Sequence, residues 1–168
     1  MNPETTIDTR FSDEGAEPTA WSTATDRMRE AMSYFLTTVR ADGRPHQTTI
    51  AGIWLDEGFH FVTGRGEQKA RNLDAGNRNV IVTAGDSTWD GVDVVLEGEV
   101  VEVTDVGRLE RLAYQYRTKY DDMFGFRVVD GEFTAPDNSD PGVVYEVRLS
   151  KGFGFAKGKS FGQTRWRF

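Results

Sequence analysis

The residues whose types and spacing suggest chemistry lie in the segment 61–73. There a strand-like run ends in the turn Gly64-Arg65-Gly66, and a stretch with helical spacing follows. A strand, a glycine turn and a helix start together present free backbone N–H groups and the positive end of a helix dipole, which favours a bound phosphate or carboxylate. Thr63 can add a hydroxyl, and Lys69 and Arg71 can add positive charge. The segment therefore predicts a phosphate site.

The same segment also fits a plainer structure, a surface helix whose basic side chains are solvated, as most lysines and arginines are. Glu67 places a negative charge beside the glycine turn, which opposes anion binding. The dinucleotide fingerprint G-x-G-x-x-G is not met, because Lys69 stands at the third glycine position. On the residues alone, the phosphate site and the solvated helix both remain open.

The residue composition excludes several kinds of catalytic and metal-binding site. The sequence contains no cysteine, which excludes disulfides, thiolate metal sites and cysteine nucleophiles, so any redox chemistry would have to come from a cofactor. The sequence has only two histidines, His46 and His60, and no clear ligand motif, so we expect no metal site.

The net charge of −7 is unevenly distributed along the chain. Residues 151–168 contain five lysines and arginines, five aromatic residues and no acid, whereas the rest of the chain is acidic. An acidic body would repel a nucleic acid, so we expect no nucleic-acid partner and interpret this tail as part of a local anion site. Its aromatic content predicts an ordered tail, because burial of aromatic rings compensates the entropy of fixing the chain.

A length of 168 residues predicts one domain. Residues 1–20 show no periodicity and are expected to form a flexible arm, and residues 21–168, tail included, are expected to form the folded domain. There is no apolar leader, and no stretch approaches the roughly 18 apolar residues of a membrane helix. We therefore expect a cytoplasmic protein without a membrane partner.

The elements that would position the phosphate site are those of a mostly antiparallel β protein. A first helix is expected near Thr23, whose spacing to Asp26 resembles a capping box. Alternation and turn residues place strands at 34–40, 47–55, 59–63, 80–84, 92–103 and 143–149, helices at 67–75 and along the stripe Val106, Leu109, Ala113 and Tyr116, and a loop at 121–142. This set predicts an α+β fold, an antiparallel barrel or sandwich of six or seven strands with helices packed outside it.

Two runs together resemble a known family. The hairpin segment Thr38–His46 and the segment 61–73, with the spacing between them, are similar to the pyridoxamine 5′-phosphate oxidase-like split-barrel superfamily, over about residues 25–168. The resemblance implies an α+β antiparallel split β-barrel of six or seven strands. It also implies a homodimer with cofactor sites at the subunit interface, and an oxidoreductase that transfers a hydride between bound F420 or FMN and a small organic substrate.

The resemblance further implies which residues bind the cofactor. The flavin ring would lie against Gln47, Thr48, Thr49 and Ile50, the phosphate would be held by Thr63, Gly64, Gln68 and Lys69 with Arg71 nearby, and Gln163, Arg165 and Trp166 of the tail would close over the partner's cofactor. Asp93, near the start of a long strand, could meet the polar edge of the ring. We expect the dimer interface to bury the barrel face that carries Thr48 and Ile50. No catalytic acid or base is assigned, because the cofactor carries the chemistry.

The sequence departs from the pyridoxamine phosphate oxidases proper, since Gln47 and Gly52 stand where basic residues would be expected. Oxidation of pyridoxamine phosphate itself is therefore not expected. The segment 112–120 and the loop Gly66-Glu67-Gln68-Lys69 look more like the branch that uses F420. The alternative function is that of a non-catalytic protein that binds FMN, F420 or a tetrapyrrole, which substrate-dependent cofactor turnover would distinguish.

Overall fold

The computed structural model describes residues 2–85, 87–136 and 141–168. In these residues the chain forms eleven strands, three α-helices and a short 3-10 helix at Thr9–Phe11. The strands are β1 (Glu4–Ile7), β2 (Tyr34–Val39), β3 (Pro45–Ile50), β4 (Ile53–Leu55), β5 (Gly58–Gly64), β6 (Asn79–Ala84), β7 (Gly91–Glu102), β8 (Arg127–Val129), β9 (Glu132–Thr134), β10 (Gly142–Lys157) and β11 (Gly162–Arg167). The helices are α1 (Trp21–Glu30), α2 (Gln68–Asp74) and α3 (Val106–Lys119).

All strand pairs are antiparallel, and the main path through the sheet runs β1-β11-β10-β7-β6-β2-β3. The first half of β10 also pairs with β5, and its second half pairs with β11, so this long strand belongs to both parts of the barrel. Strand β4 pairs with β5, and the β8–β9 hairpin joins β10. The α+β antiparallel split barrel is confirmed. The strand count exceeds six or seven because several of the strands have only three or four residues, too few to show a periodic pattern.

The long pairing of β7 with β10 is irregular near its middle. A bulge between Leu149 and Lys151 interrupts the pairing opposite Gly98. A side chain at Gly98 would collide with the backbone carbonyl of Arg148, so the close approach of the two strands requires a glycine. The bulge and the close approach at Gly98 thus lie at the same point of the β7–β10 pair.

The apolar residues form two cores. One fills the barrel and contains large side chains from β2, β5 and β11, including Tyr34, Phe59, Phe61 and Trp166. The other lies under α3, where the predicted stripe buries all its members except Val106, which is exposed in the first turn.

Four local predictions need correction. Helix α1 begins at Trp21 after Ala20, with no side-chain cap, so Thr23 does not start it. The strand expected over 47–55 is divided into β3 and β4, and the loop expected over 121–142 contains the β8–β9 hairpin. The arm expected to be flexible contains β1, which pairs along its length with β11.

The pairing of β1 explains why the arm was mispredicted. Its partner strand lies about 160 residues later in the chain, so no local pattern could indicate it. Beyond β1, the Asp8 amide donates to the Gln163 carbonyl at 2.8 Å and the Asp13 amide to the Phe161 carbonyl at 2.9 Å. The basic tail is ordered as predicted, as the second half of β10 and the whole of β11. Within the described ranges, none of the helices combines the length and the apolar character that crossing a membrane requires.

Candidate cofactor site

Three of the predicted phosphate ligands converge on one carboxylate. Strand β5 ends at Gly64, and the turn leads to Glu67, the residue before α2. The Oε1 atom of Glu67 accepts hydrogen bonds from the Gly64 amide at 2.9 Å and from the Thr63 hydroxyl at 3.2 Å. Its Oε2 atom forms an ion pair with the Lys69 ammonium group. We call Thr63, Gly64, Glu67 and Lys69 the anion cluster.

The negative charge of Glu67 is stabilised by its neighbours in the anion cluster. Burial raises the pKa of Glu67, but the hydrogen bonds from Lys69 and from the Gly64 amide outweigh it and hold the pKa below the ordinary value. The carboxylate is therefore ionised at neutral pH. The Lys69 side chain is only 10% exposed, whereas that of Glu67 is 52% exposed. Donors that were expected to hold a phosphate thus face an anion, and that anion belongs to the chain itself.

A buried amide fixes α2 against the barrel. Asn72 is 2% exposed and donates from Nδ2 to the Thr38 hydroxyl of β2 at 2.8 Å. Its Oδ1 atom accepts a hydrogen bond of 2.7 Å from Nε2 of Gln68. Gln68 is therefore engaged within α2 and does not join the anion cluster. The positioning role of Asn72 and Thr38 was missed, because a lone polar residue carries no signal of a partner 34 positions away.

Two further arginines near the turn, Arg71 of α2 and Arg65 of the turn itself, face other groups than Glu67. Arg71 is exposed and lies 3.4 Å from Gln68 Oε1. Arg65 donates from Nε to Glu132 at 3.0 Å and lies 3.7 Å from Glu102. Among the described residues, Lys69 is therefore the basic side chain that pairs with Glu67 in the anion cluster.

The start of β3 lies beside the cluster. Thr38 of β2 pairs with His46 of β3. Burial lowers the pKa of His46, and the positive charges of Arg40 and Lys69 lower it further. The next residue, Gln47, faces the other side of the sheet, where its Nε2 atom donates to the Thr37 hydroxyl at 3.2 Å.

That other side of the sheet faces away from the barrel core, and we call it the outer face. Paired residues of antiparallel strands share a face, so the registers define two rows across the sheet. One row contains Gln47, Thr37, Ile81, Glu97 and Lys151, and the other contains Thr49, Phe35, Thr83, Val95, Phe153 and Arg165. Asp93 and Gln163 follow in the next row, on either side of Phe155. A cleft of about 340 Å³ opens among Thr37, Ile81 and Glu97.

The face assignment of β3 needs correction. Ile50 is 8% exposed, pairs with Tyr34 and belongs to the barrel core, and Thr48 points to the same inner side. The side of β3 available to a cofactor or a second subunit is therefore the side of Gln47 and Thr49. Alternation along a strand separates two faces but does not say which one is buried.

Trp166 is a core residue and not the cofactor-covering residue that was expected. It is fully buried, and its ring packs edge-on to Trp21 with 5.3 Å between ring centroids. The two glycines of β10 that face it, Gly152 and Gly154, make room for the indole.

The other predicted tail and strand residues lie on the outer face with partners of their own chain. Arg165 is 3.7 Å from Asp8, and its guanidinium lies over the Phe153 ring at 5.9 Å. Asp93 forms an ion pair of 3.0 Å with Lys157. These residues share the outer face with Gln47 and Thr49, but none of the described contacts joins them to the anion cluster within one chain.

The fold defines a class of protein, the antiparallel split β-barrels with flanking helices. A family model described as pyridoxamine 5′-phosphate oxidase matches residues 23–152, well over half of the chain, and the chain belongs to this family.

Solved structures agree with this fold. An F420 reductase is 23% identical, with 74% of this chain and 90% of that chain covered and a TM-score of 0.53. HutZ, the heme storage protein from Vibrio cholerae, is 18% identical, with 82% and 94% covered and a TM-score of 0.61. General Stress Protein 26 from Bacillus anthracis is 15% identical, with 88% and 97% covered and a TM-score of 0.62. Among curated proteins none matches this chain.

Proposed function

We propose that this protein is an oxidoreductase that transfers a hydride between bound F420 or FMN and a small organic substrate. The observation that carries the proposal is the convergence of the Thr63 hydroxyl, the Gly64 amide and the Lys69 ammonium on one anion. Both proposed cofactors carry a phosphate, and the donor set of the cluster is of the kind that holds one. Membership of the family and the F420 reductase among the similar folds support the same reading.

In this proposal Thr63, Gly64 and Lys69 hold the cofactor phosphate, and Gln47 and Thr49 contact the ring along β3. A bound flavin or deazaflavin supplies the hydride chemistry, and the chain supplies orientation and shelter from water. Asn72 positions the cluster by tying α2 to Thr38. Trp166 is fully buried and takes no part in binding, and the proposal assigns no contact to Gln68 or Arg71.

The protein would act as a homodimer with the cofactor between subunits. The outer face exposes 44% of Phe35, 38% of Ile81 and 38% of Phe155, apolar side chains from three consecutive rows that a second copy would cover. The same face carries Gln47 and Thr49 of β3 and Gln163 and Arg165 of the tail. Packing two such faces together would supply the second wall of the cofactor site.

The test is the absorption spectrum of the purified protein, followed by titration with FMN and with F420. A charge-assisted hydrogen bond contributes about 1.5–3 kcal/mol, so Lys69→Ala should weaken binding of the accepted cofactor by about ten- to a hundredfold. Arg71→Ala removes the same charge from the exposed side of the same helix and serves as the matched control, with an expected change of less than about threefold. Equal losses in the two variants would mean that net charge, and not the cluster, governs binding.

A second candidate function is non-catalytic binding of FMN, F420 or a tetrapyrrole, which the heme storage protein among the similar folds favours. His60 is fully buried, so His46, which is half-buried beside the cluster, is the histidine that an iron could reach. A Soret band that disappears in His46→Ala would support this function. A flavin-type spectrum with substrate-dependent turnover would instead support the oxidoreductase.

A further inference from the structure

The charged side chains paired in and beside the anion cluster carry one more negative than positive charge. Lys69 is paired with Glu67, and Arg65 of the same turn faces Glu132 and Glu102. Glu67 lies two positions before Lys69 and is held by the Gly64 amide and the Thr63 hydroxyl. A ligand phosphate that takes these donors displaces the carboxylate toward solvent, but the carboxylate stays tethered within a few ångströms.

This balance affects ligands according to their charge. Each negative charge on a ligand is attracted by Lys69 and repelled by Glu67, so the second charge of a dianion gains little. A phosphate monoester carries about 1.5 to 2 negative charges at neutral pH, because its second pKa is near 6. A phosphodiester carries only one negative charge, which the hydrogen bonds of the cluster can stabilise.

We propose that Glu67 is a specificity-determining residue that makes the anion cluster select a phosphodiester over a terminal phosphate monoester. This inference rests on the proposed function and sharpens it, because F420 contains a phosphodiester and FMN ends in a monoester. Glu67 discriminates by charge and not by shape.

The test uses three probes with different phosphates, namely riboflavin with none, FMN with a monoester and F420 with a diester. Because F420 also differs in its ring and in further anionic groups, the affinity of each probe is compared between the parent and the variant. Glu67→Gln keeps an oxygen that can accept from the Gly64 amide and the Thr63 hydroxyl, and it removes only the charge. Two unit charges several ångströms apart in a water-accessible site change affinity by about threefold. We therefore expect affinity gains of about tenfold for FMN, about threefold for F420 and none for riboflavin.

Glu110→Gln removes the same charge from the exposed side of α3 and should change none of the three affinities by more than about 1.5-fold. Thermal unfolding of each variant checks that the fold is intact. Equal gains for FMN and F420 would overturn the inference while leaving the proposed function in place, and so would a gain for riboflavin. If the parent binds neither FMN nor F420, the proposed function fails at that first titration, and the inference fails with it.

Discussion

Arg108 of α3 donates a hydrogen bond of 2.9 Å from Nη2 to Nε2 of His60, which lies on β5 and is fully buried. The Nη1 atom of the same guanidinium pairs with Glu146 of β10 at 2.8 Å. Burial and the charge of Arg108 together lower the pKa of His60 to about 4. The neutral ring thus acts as an acceptor that attaches α3 to the barrel, and His60 is a structural residue.

This relationship predicts a loss of stability in mild acid. The folded-state pKa of His60 is depressed, so its contribution is fully present above the ordinary value of 6.5 and is lost as the pH falls from 6.5 toward 4. The free energy of unfolding should fall by up to about 3 kcal/mol across this range. Urea unfolding at pH steps from 7.5 to 5 measures the effect apart from Glu146, whose pKa is lowered below its ordinary 4.5.

His60→Gln supplies the control for this pH dependence. Glutamine offers an acceptor oxygen to Arg108 and does not titrate. The variant should therefore be less stable at pH 7.5, but its free energy of unfolding should change less between pH 7.5 and 5. A parallel decline in the parent and the variant would show that other groups cause the acid sensitivity.

The fit of Trp166 against β10 predicts a strong effect of one added methyl group. A Cβ at Gly154 would lie 2.5 Å from the indole ring of the fully buried Trp166. Gly154→Ala should therefore lower the free energy of unfolding by about 1–3 kcal/mol, as overpacked cores do. Chemical denaturation measures the loss.

Gly66→Ala is the matched control, because a Cβ there meets no atom within 4 Å. It should change stability by less than about 0.5 kcal/mol. Trp166→Phe in the Gly154→Ala background should recover part of the loss, and complete additivity of the two changes would contradict the steric explanation.

The hydrogen bond between Asn72 and Thr38 predicts a coupled pair. Asn72→Ala leaves the fully buried Thr38 hydroxyl without its donor, which should cost about 1–3 kcal/mol of stability. A double-mutant cycle with Thr38→Val should give a coupling energy above about 0.5 kcal/mol. Because the pair positions α2, Asn72→Ala should also weaken cofactor binding, and unchanged affinity in a folded variant would contradict this positioning role.

The exposed apolar side chains Phe35, Ile81 and Phe155 of the outer face predict that dimerisation depends on them. Ile81→Lys places a charge among these side chains, beside Thr37 and Glu97, and should shift sedimentation at micromolar concentration from dimer to monomer. Cofactor affinity should fall with it. Val106→Lys alters another exposed apolar residue, at the start of α3, and should leave the dimer intact. A parent that binds cofactor tightly as a monomer would contradict the proposed interface.

Much of the fold could be predicted because its signals are local. Alternation marked β2, β5, β6 and β7, and the helical spacing of Leu109, Ala113 and Tyr116 marked the buried side of α3. The sequence could also predict part of the anion cluster, because Thr63 and Lys69 belong to one strand-turn-helix segment. Residues so close in sequence have few ways to be arranged in space.

Tertiary structure decided the features that depend on distant partners. The pairing of β1 with β11, the burial of Trp166 and the contact of Asn72 with Thr38 each join segments that carry no mark of one another. The alternation of β3 separated Gln47 and Thr49 from Thr48 and Ile50, and only the packing of the barrel showed which pair faces outward. Local sequence determines the period of a strand, but its direction relative to the core depends on what the rest of the chain packs against it.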